Sequence, residues 1–444
     1  MATSAPLSDV LRAAALVWVR VCRGRALDRA LQEELRPDSA TQLQAAVRDV
    51  CHDALRRRAL IEALLQRLIA RAPAPQVGGL LAVALSQLLD GAYREHVLVD
   101  QAVAATQAAR RMRGSSGFVN AVLRSFLRRR AALVPQLLLD EATRLNVPRW
   151  WLQRIRHDHP GQWESVLACG AHAPALVLRV NRRRCDVDTY LALLHEQEIA
   201  ASRVGPQAVR LHRPRPVARI PGFTEGLVSV QDAGAQLAAP WLQAGDGMRV
   251  LDACAAPGGK TGHLAELSDA QIDAVELDPE RARRVTENLR RLGLMEPRVR
   301  VLTADASDAA SFWDGRPYQR ILLDAPCTAS GIVRRHPDIP WLRRESDVAQ
   351  LTTLQARLLD ALWPLLAPAG RLLYVVCSVF REEADQQADS FLERHPDARL
   401  APLPGAPHGW HQLLPTGAGP VEPGHIAGLP TEFDGFFFAL FEKV

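Results

Sequence analysis

Cys327 and Cys377 stand fifty residues apart, and each closes an apolar run: Ile321-Leu322-Leu323-Asp324-Ala325-Pro326 leads into the first, Leu372-Leu373-Tyr374-Val375-Val376 into the second. A free cysteine is usually a small buried hydrophobe, and that account suffices for Cys22, Cys51, Cys169 and Cys185. Two thiols without a CxxC pair or a clear pair of histidines make a poor metal-ligand set, and a disulfide needs an oxidising compartment. The chemistry left to two thiols at strand ends is covalent, because a thiolate is a potent nucleophile. Asp324, closing the same run that leads to Cys327, adds a carboxylate able to bind a ring edge and help with protons.

A second group of residues lies upstream. The strand from Met248 to Ala253 runs into Asp252-Ala253-Cys254-Ala255-Ala256-Pro257-Gly258-Gly259-Lys260-Thr261. This is neither GxGxxG nor a P-loop, since Gly258-Gly259-Lys260-Thr261 lacks the upstream glycine. Small residues followed by two glycines let a ligand approach the backbone at a helix N-terminus. About 20 residues further on, Glu276 closes the next strand, where an acidic side chain suits ribose hydroxyls. Asp305 ends the third strand and is placed for an adenine amino group. With no strong pyrophosphate cradle, the ligand that fits is a nucleoside without phosphates, and S-adenosylmethionine is one; a dinucleotide is the alternative. A sulfonium methyl donor combined with a thiol points to methylation of pyrimidine carbon-5. Thiolate addition at carbon-6 makes carbon-5 nucleophilic, and after methyl transfer, loss of the carbon-5 proton and elimination of the thiol restore the base.

Three regions must position these residues. From Met248 onward, strands and helices alternate, the pattern of a parallel, doubly wound sheet that binds ligands beyond the carboxyl ends of its strands. Phe433 to Glu442 reads as a closing strand pair. Residues 1–145 carry apolar positions at helical spacing and no convincing strand alternation. Between them, residues 146–235 mix a strand at Leu176–Val180, a helix over Val187–Gln197 and a short strand at Val209–Leu211, a small α+β unit. The expected fold is therefore multidomain: all-α over 1–145, a small α+β connecting or RNA-contacting region over 146–235, and a Rossmann-like α/β domain over 236–444.

Charge divides the same way. The chain holds 54 basic and 49 acidic residues; residues 1–150 carry a net +9, 151–235 a net +3 and 236–444 a net −7. A basic module tethered to an acidic one suggests that the first holds a polyanion. Its arginines cluster at Arg56-Arg57-Arg58, at Arg110-Arg111-Met112-Arg113 and at Arg128-Arg129-Arg130. Arginine near a helix C-terminus complements the dipole, which explains one or two clusters; three favour phosphate contacts. Only two basic residues are lysines, Lys260 and Lys443, so Lys260 has resisted a compositional drift toward arginine.

Composition sets the outer bounds. At 48% hydrophobic and 23% charged the chain is not disordered, and seven cysteines without a CxxC pair do not make a disulfide scaffold. The longest uncharged run, Ala72 to Leu89, is broken by prolines and glycines and is solidly apolar only from Leu80, too short to span a membrane. No secretory pattern is seen. A cytoplasmic monomer without metal is expected.

Two resemblances sharpen these expectations. Gly117-Phe118-Val119-Asn120-Ala121-Val122-Leu123-Arg124, after an arginine-rich turn, resembles the NusB-like RNA-binding family. DACAAPGGKT, LLDAPC-x-x-SG, RRHPD and YVVCS, in this order and spacing, resemble the RNA cytosine-5 methyltransferases of the Sun/Fmu type, nearest to bacterial members acting on 16S ribosomal RNA. The second resemblance implies that Cys377 attacks carbon-6 and that Cys327 assists product release, with Asp324 and Lys260 as further catalytic groups. It implies that Cys254, Ala255, Ala256, Pro257, Gly258, Gly259 and Lys260, with Glu276, Asp305 and Asp324, hold S-adenosylmethionine. Arg334, Arg335 and His336 are expected to line the RNA path, a charged surface loop being the alternative, and Arg111 and Arg113 to contact RNA from the helical domain. Three positions depart from the family's habit: Val376 stands where threonine is usual, Thr328 where serine is common, and Glu276 where aspartate is commoner.

Overall fold

The computed structural model describes residues 5–35, 40–415 and 432–444. They form two compact units, one running to Ala173 and including Val333–Arg344, the other comprising Pro174–Ile332 and Glu345–Val444.

The first unit is helical, as its periodicity requires. Helices Leu7–Cys22, Leu27–Glu34, Thr41–Leu55, Arg58–Leu68, Pro75–Asp90, Glu95–Ala108 and Ser116–Leu137 pack around Pro75–Asp90, whose residues from Gly79 to Leu88 are all buried. A helix apolar on every side belongs in a core. Helices Glu141–Arg144, Arg149–Asp158 and Trp163–Ala168 extend this unit past residue 145. The Arg334-to-Asp338 stretch also belongs to it. Asp338 accepts the Leu27 N–H at 2.8 Å, satisfying a first-turn donor of Leu27–Glu34. Arg56 donates to the Arg334 carbonyl at 3.1 Å, and the Arg58 guanidinium lies 4.8 Å from the Trp341 ring centre.

The second unit opens with a small antiparallel sheet: β1 (Leu176–Val180), β2 (Ala201–Arg203), β3 (Ala208–Leu211) and β4 (Val228–Val230), in the order β2-β3-β1-β4, with helix Val187–Glu196. The α+β expectation holds; β2 and β4, at three residues each, are too short to show alternation in sequence. Arg179 of β1 joins this sheet to helix Gly259–Leu267. Its buried guanidinium grips both oxygens of Glu266 at 2.9 and 2.7 Å and reaches the Gly259 carbonyl at 2.6 Å. Such bidentate pairing is the geometry in which a buried ion pair holds.

The large sheet comprises β5 (Arg249–Ala253), β6 (Gln271–Glu276), β7 (Val299–Thr303), β8 (Tyr318–Asp324), β9 (Leu366–Val376), β10 (Ala398–Leu400), β11 (Trp410–Leu413) and β12 (Phe436–Lys443). Its order is β10-β12-β9-β8-β5-β6-β7, with β11 on β12. The strands β5 to β9 run parallel, and β12 enters antiparallel beside β9. The Phe433–Glu442 stretch thus forms one strand rather than a pair. Alternate side chains serve both faces of that strand, Phe436, Phe438 and Leu440 in one core layer and Phe437, Ala439 and Phe441 in the other. Among the described residues no helix is long and apolar enough to cross a membrane, and no three metal-ligating side chains gather.

Candidate active site

The carboxyl ends of β5, β6, β8 and β9 converge, and the reactive residues follow from that topology. After β5 the chain turns sharply through Cys254, which adopts a left-handed φ of 61°, a conformation non-glycine residues rarely take. Gly258 then caps helix Gly259–Leu267 with φ 93°. A Cβ on Gly258 would lie 3.1 Å from the backbone Cα of Val285, so only glycine fits. The turn is fixed from β6: Glu276, 3% exposed, accepts the Ala256 N–H through Oε2 and the Asp278 N–H through Oε1, both at 3.2 Å. Asp305 lies beyond β7 and accepts the Ser307 N–H and hydroxyl at 2.8 and 2.7 Å, bonds that hold its carboxyl below the ordinary range.

Asp252 closes the floor of this turn. It is fully buried; one carboxylate oxygen accepts the Thr261 hydroxyl at 2.5 Å and the other, Oδ1, has no partner among the described residues. Burial pushes its carboxyl up to about 7, against the Thr261 bond.

Lys260 sits in the first turn of the helix with Nζ 2.5 Å from Asp324 Oδ2, the side chains being 12% and 29% exposed. Burial works against its ammonium, but Asp324, by attraction and hydrogen bond, together with Cys377 and Asp252, raises its affinity for the proton above the ordinary lysine value. The Phe436 ring centre lies 5.8 Å from the same Nζ. One lysine thus answers Asp324 on β8 and Cys377 after β9.

The two thiols meet. Cys327 Sγ lies 3.4 Å from Cys377 Sγ. Its bond with Cys377 and then its burial raise the Cys327 thiol well above the ordinary cysteine value, so it keeps its proton. Gly331 lets the Cys327 loop pass close to the lead-in of β12: a Cβ there would clash with the Gly435 carbonyl, and its N–H donates to the Cys377 carbonyl at 3.0 Å. Behind the thiols lies a buried polar cluster of Thr328, Ser330, Gln355, Tyr374, Ser378 and Glu383.

The site thus brings together the Cys254–Lys260 turn, Glu276, Asp324, Cys327 and Cys377. Asp305 is on the same edge of the sheet but bonds to none of them. Arg111 and Arg113 are exposed in the helical unit. Arg334 is 6% exposed, and Arg335 and His336 are half-buried, so this stretch is largely packed. Asp252, Phe436 and Glu383 were given no role by their sequence context alone. Two signals were available, the acid at the start of the small-residue turn and the Glu382-Glu383 pair just past Cys377.

The group expected here is a methyl donor carried on a nucleoside. The residues fit it: a glycine-lined turn at a helix N-terminus, a buried acid at the second strand end, and an Asp252 oxygen still short of a hydrogen-bond donor.

Comparison with known proteins agrees with this geometry. Residues 239–442 match the model of the 16S rRNA methyltransferase RsmB/F, residues 147–218 that of the RsmF/B-like ferredoxin-like domain, and residues 12–128 that of the NusB family. Ribosomal RNA small subunit methyltransferase B of Citrobacter koseri is 39% identical over 408 residues, covering 89% of this chain and 90% of that one. Its namesake in Salmonella enteritidis is 37% identical over 436 residues, 96% of each chain. The crystal structure of PH0851 superposes with a TM-score of 0.75 over 99% of this chain and 100% of that one, at 25% identity. A methyltransferase homolog protein from Pyrococcus horikoshii gives 0.55 at 26% identity, over 69% of this chain and 99% of that one. Helical front, ferredoxin-like middle and methyltransferase sheet occur here in one chain, which belongs to the RsmB/F family of 16S ribosomal RNA methyltransferases.

Proposed function

We propose that this enzyme methylates carbon-5 of a cytosine in 16S ribosomal RNA through a covalent bond between Cys377 and carbon-6 of the base. The observation that carries the reading is the 3.4 Å approach of two thiols beside the Lys260–Asp324 pair, at the carboxyl ends of β8 and β9. S-adenosylmethionine, held by the Cys254–Lys260 turn with Glu276, Asp305 and Asp324, supplies an electrophilic methyl group when bound. Cys377 adds to carbon-6 as the thiolate. Asp324 accepts hydrogen bonds from the ring edge while paired to Lys260. Carbon-5, made nucleophilic by the addition, takes the methyl group and then gives up its proton to a base. The carbon–sulfur electron pair returns to Cys377 as the base regains its double bond. Cys327, which keeps its proton beside that sulfur, assists this release. Arg111 and Arg113 contact RNA phosphates from the helical unit. Every group named lies in one chain, so a monomer suffices.

The test is denaturing gel electrophoresis of the full-length protein with small-subunit ribosomal RNA and S-adenosylmethionine. Cys327→Ala is expected to accumulate a protein–RNA band that survives denaturation, and Cys377→Ala to give neither band nor 5-methylcytosine by mass spectrometry. Methylation by Cys377→Ala would overturn the assignment of the nucleophile. Transfer to transfer RNA but not to 16S RNA would overturn the substrate.

A further inference from the structure

Glu383 lies six residues past Cys377, in the short helix Arg381–Glu383, and is fully buried. Four donors converge on its carboxylate. Oε1 accepts the Thr328 N–H at 2.9 Å and the Gln355 amide at 3.0 Å; Oε2 accepts the Thr328 hydroxyl at 2.5 Å and the Ser378 hydroxyl at 2.6 Å. A buried carboxylate is tolerated where hydrogen bonds replace its water. Here those bonds have a specific address, because Thr328 and Ser378 are the residues directly after Cys327 and Cys377. One side chain therefore ties the turn behind one thiol to the turn behind the other.

The two turns depend on it unequally. Ser378 has further anchors: its hydroxyl accepts the Phe380 N–H at 3.1 Å and meets the Ser330 hydroxyl at 2.9 Å, and the neighbouring Val379 N–H donates to Ser330 at 2.9 Å. Thr328 gives Glu383 two bonds, from its N–H and its hydroxyl, against the single bond from Ser378, and the Thr328 hydroxyl also lies 3.4 Å from that of Ser378. Gln355 supports the same side, its amide donating at once to Glu383 and to the Pro326 carbonyl just ahead of Cys327.

We infer that Glu383 is a positioning residue that holds Cys327 against Cys377, serving the step that resolves the covalent adduct more than the attack that forms it. This rests on the thiol roles proposed above. Removing the carboxylate takes two bonds from the Cys327 turn and one from the Cys377 turn, while the Ser330 and Gly331 bonds between the two turns remain.

The test compares Glu383→Gln, Thr328→Val and the double variant in the full-length enzyme with small-subunit ribosomal RNA and S-adenosylmethionine. First-turnover 5-methylcytosine, steady-state rate and the denaturation-resistant band are measured together. Glu383→Gln is expected to lower the steady-state rate by about tenfold or more, to change the first turnover by less than about threefold, and to raise the band several-fold. Thr328→Val, which keeps the N–H, should move the same way by less. The double variant should be no worse than Glu383→Gln, because the two residues share a contact. If Glu383→Gln fails to fold, Thr328→Val alone carries the partition. Equal loss in both phases with no rise in the band, or multiplying effects, would reduce Glu383 to a structural role and overturn the inference. Absence of any band in both wild type and Cys327→Ala would overturn the covalent reading itself, an outcome visible before any Glu383 variant is made.

Discussion

The Lys260–Asp324 pair can be weighed by breaking it from each side. Their nearest atoms are 2.5 Å apart in a site where the side chains are 12% and 29% exposed. At an effective dielectric constant of about 20, unit charges about 4 Å apart attract by about 4 kcal/mol. Desolvation and the partial exposure of Asp324 return part of this, leaving about 2 to 3 kcal/mol of coupling, below the roughly 3 to 5 kcal/mol of a fully buried pair broken from one side. Asp324→Asn strands an ammonium in a buried site, Lys260→Met strands a carboxylate that water still reaches, and the double variant strands neither. Asp324→Asn should therefore be the most destabilising of the three. The assay is urea unfolding read by pulsed alkylation of buried Cys327, which follows only the unit that holds the pair. The pH dependence has a definite sign. Because the folded state raises the Lys260 value, the coupling is complete below the ordinary lysine range of about 10.4 and fades as the pH rises through the higher folded value. Additive single and double effects, or coupling that grows in alkali, would refute the reasoning.

Lys260→Arg keeps the charge but forces a planar guanidinium into the space between Asp324 and Phe436; methyl transfer should fall at least tenfold by roughly 1.4 kcal/mol or more of lost transition-state stabilisation, and wild-type turnover with wild-type cofactor affinity would sink the idea. Asp252 carries a carboxyl raised to about 7 by burial, so its stabilising contribution is complete below the ordinary value near pH 4 and is lost as the pH rises through 7. Wild type should lose stability over that window relative to Asp252→Asn by a few kcal/mol, and parallel stability profiles would contradict this. Replacing both exposed arginines Arg111 and Arg113 with alanine should weaken RNA binding and reduce its salt slope by about 2 if each touches one phosphate, with cofactor affinity unchanged; an unchanged slope in a filter-binding titration would place the RNA elsewhere.

The strand ends are legible in the sequence because parallel strands buried on both faces read as apolar runs, and the residue types change abruptly where each run stops. That is why Glu276, Asp324, Cys327 and Cys377 can be placed without coordinates. The support behind them is hidden because it is not local. Gln355 meets the Pro326 carbonyl across 29 residues and Glu383 meets Thr328 across 55, and neither partner is written in the residues beside them. The packing of Arg334 to Asp338 was illegible for the same reason. Two arginines, a histidine and an aspartate around a proline look like an exposed basic loop until the partner of Asp338 is known to be a backbone N–H 311 residues away. Asp252 is the converse case: the residue is conspicuous, but only its burial shows that it holds an unanswered oxygen.

The return of residues 333–344 to the helical unit has a consequence for synthesis. The ribosome finishes Ala173 and then makes some 160 residues, including all of β1 to β8, before it supplies Asp338 and Trp341. At roughly 5 to 20 residues per second, the helices formed first wait on the order of ten seconds or more for their last pieces. Until then the Leu27 N–H lacks its acceptor and Arg58 its indole. The first unit is begun first and completed late, soon after the Cys327 turn has been made, so its maturation is scheduled by a stretch of messenger that follows directly on the one encoding that turn.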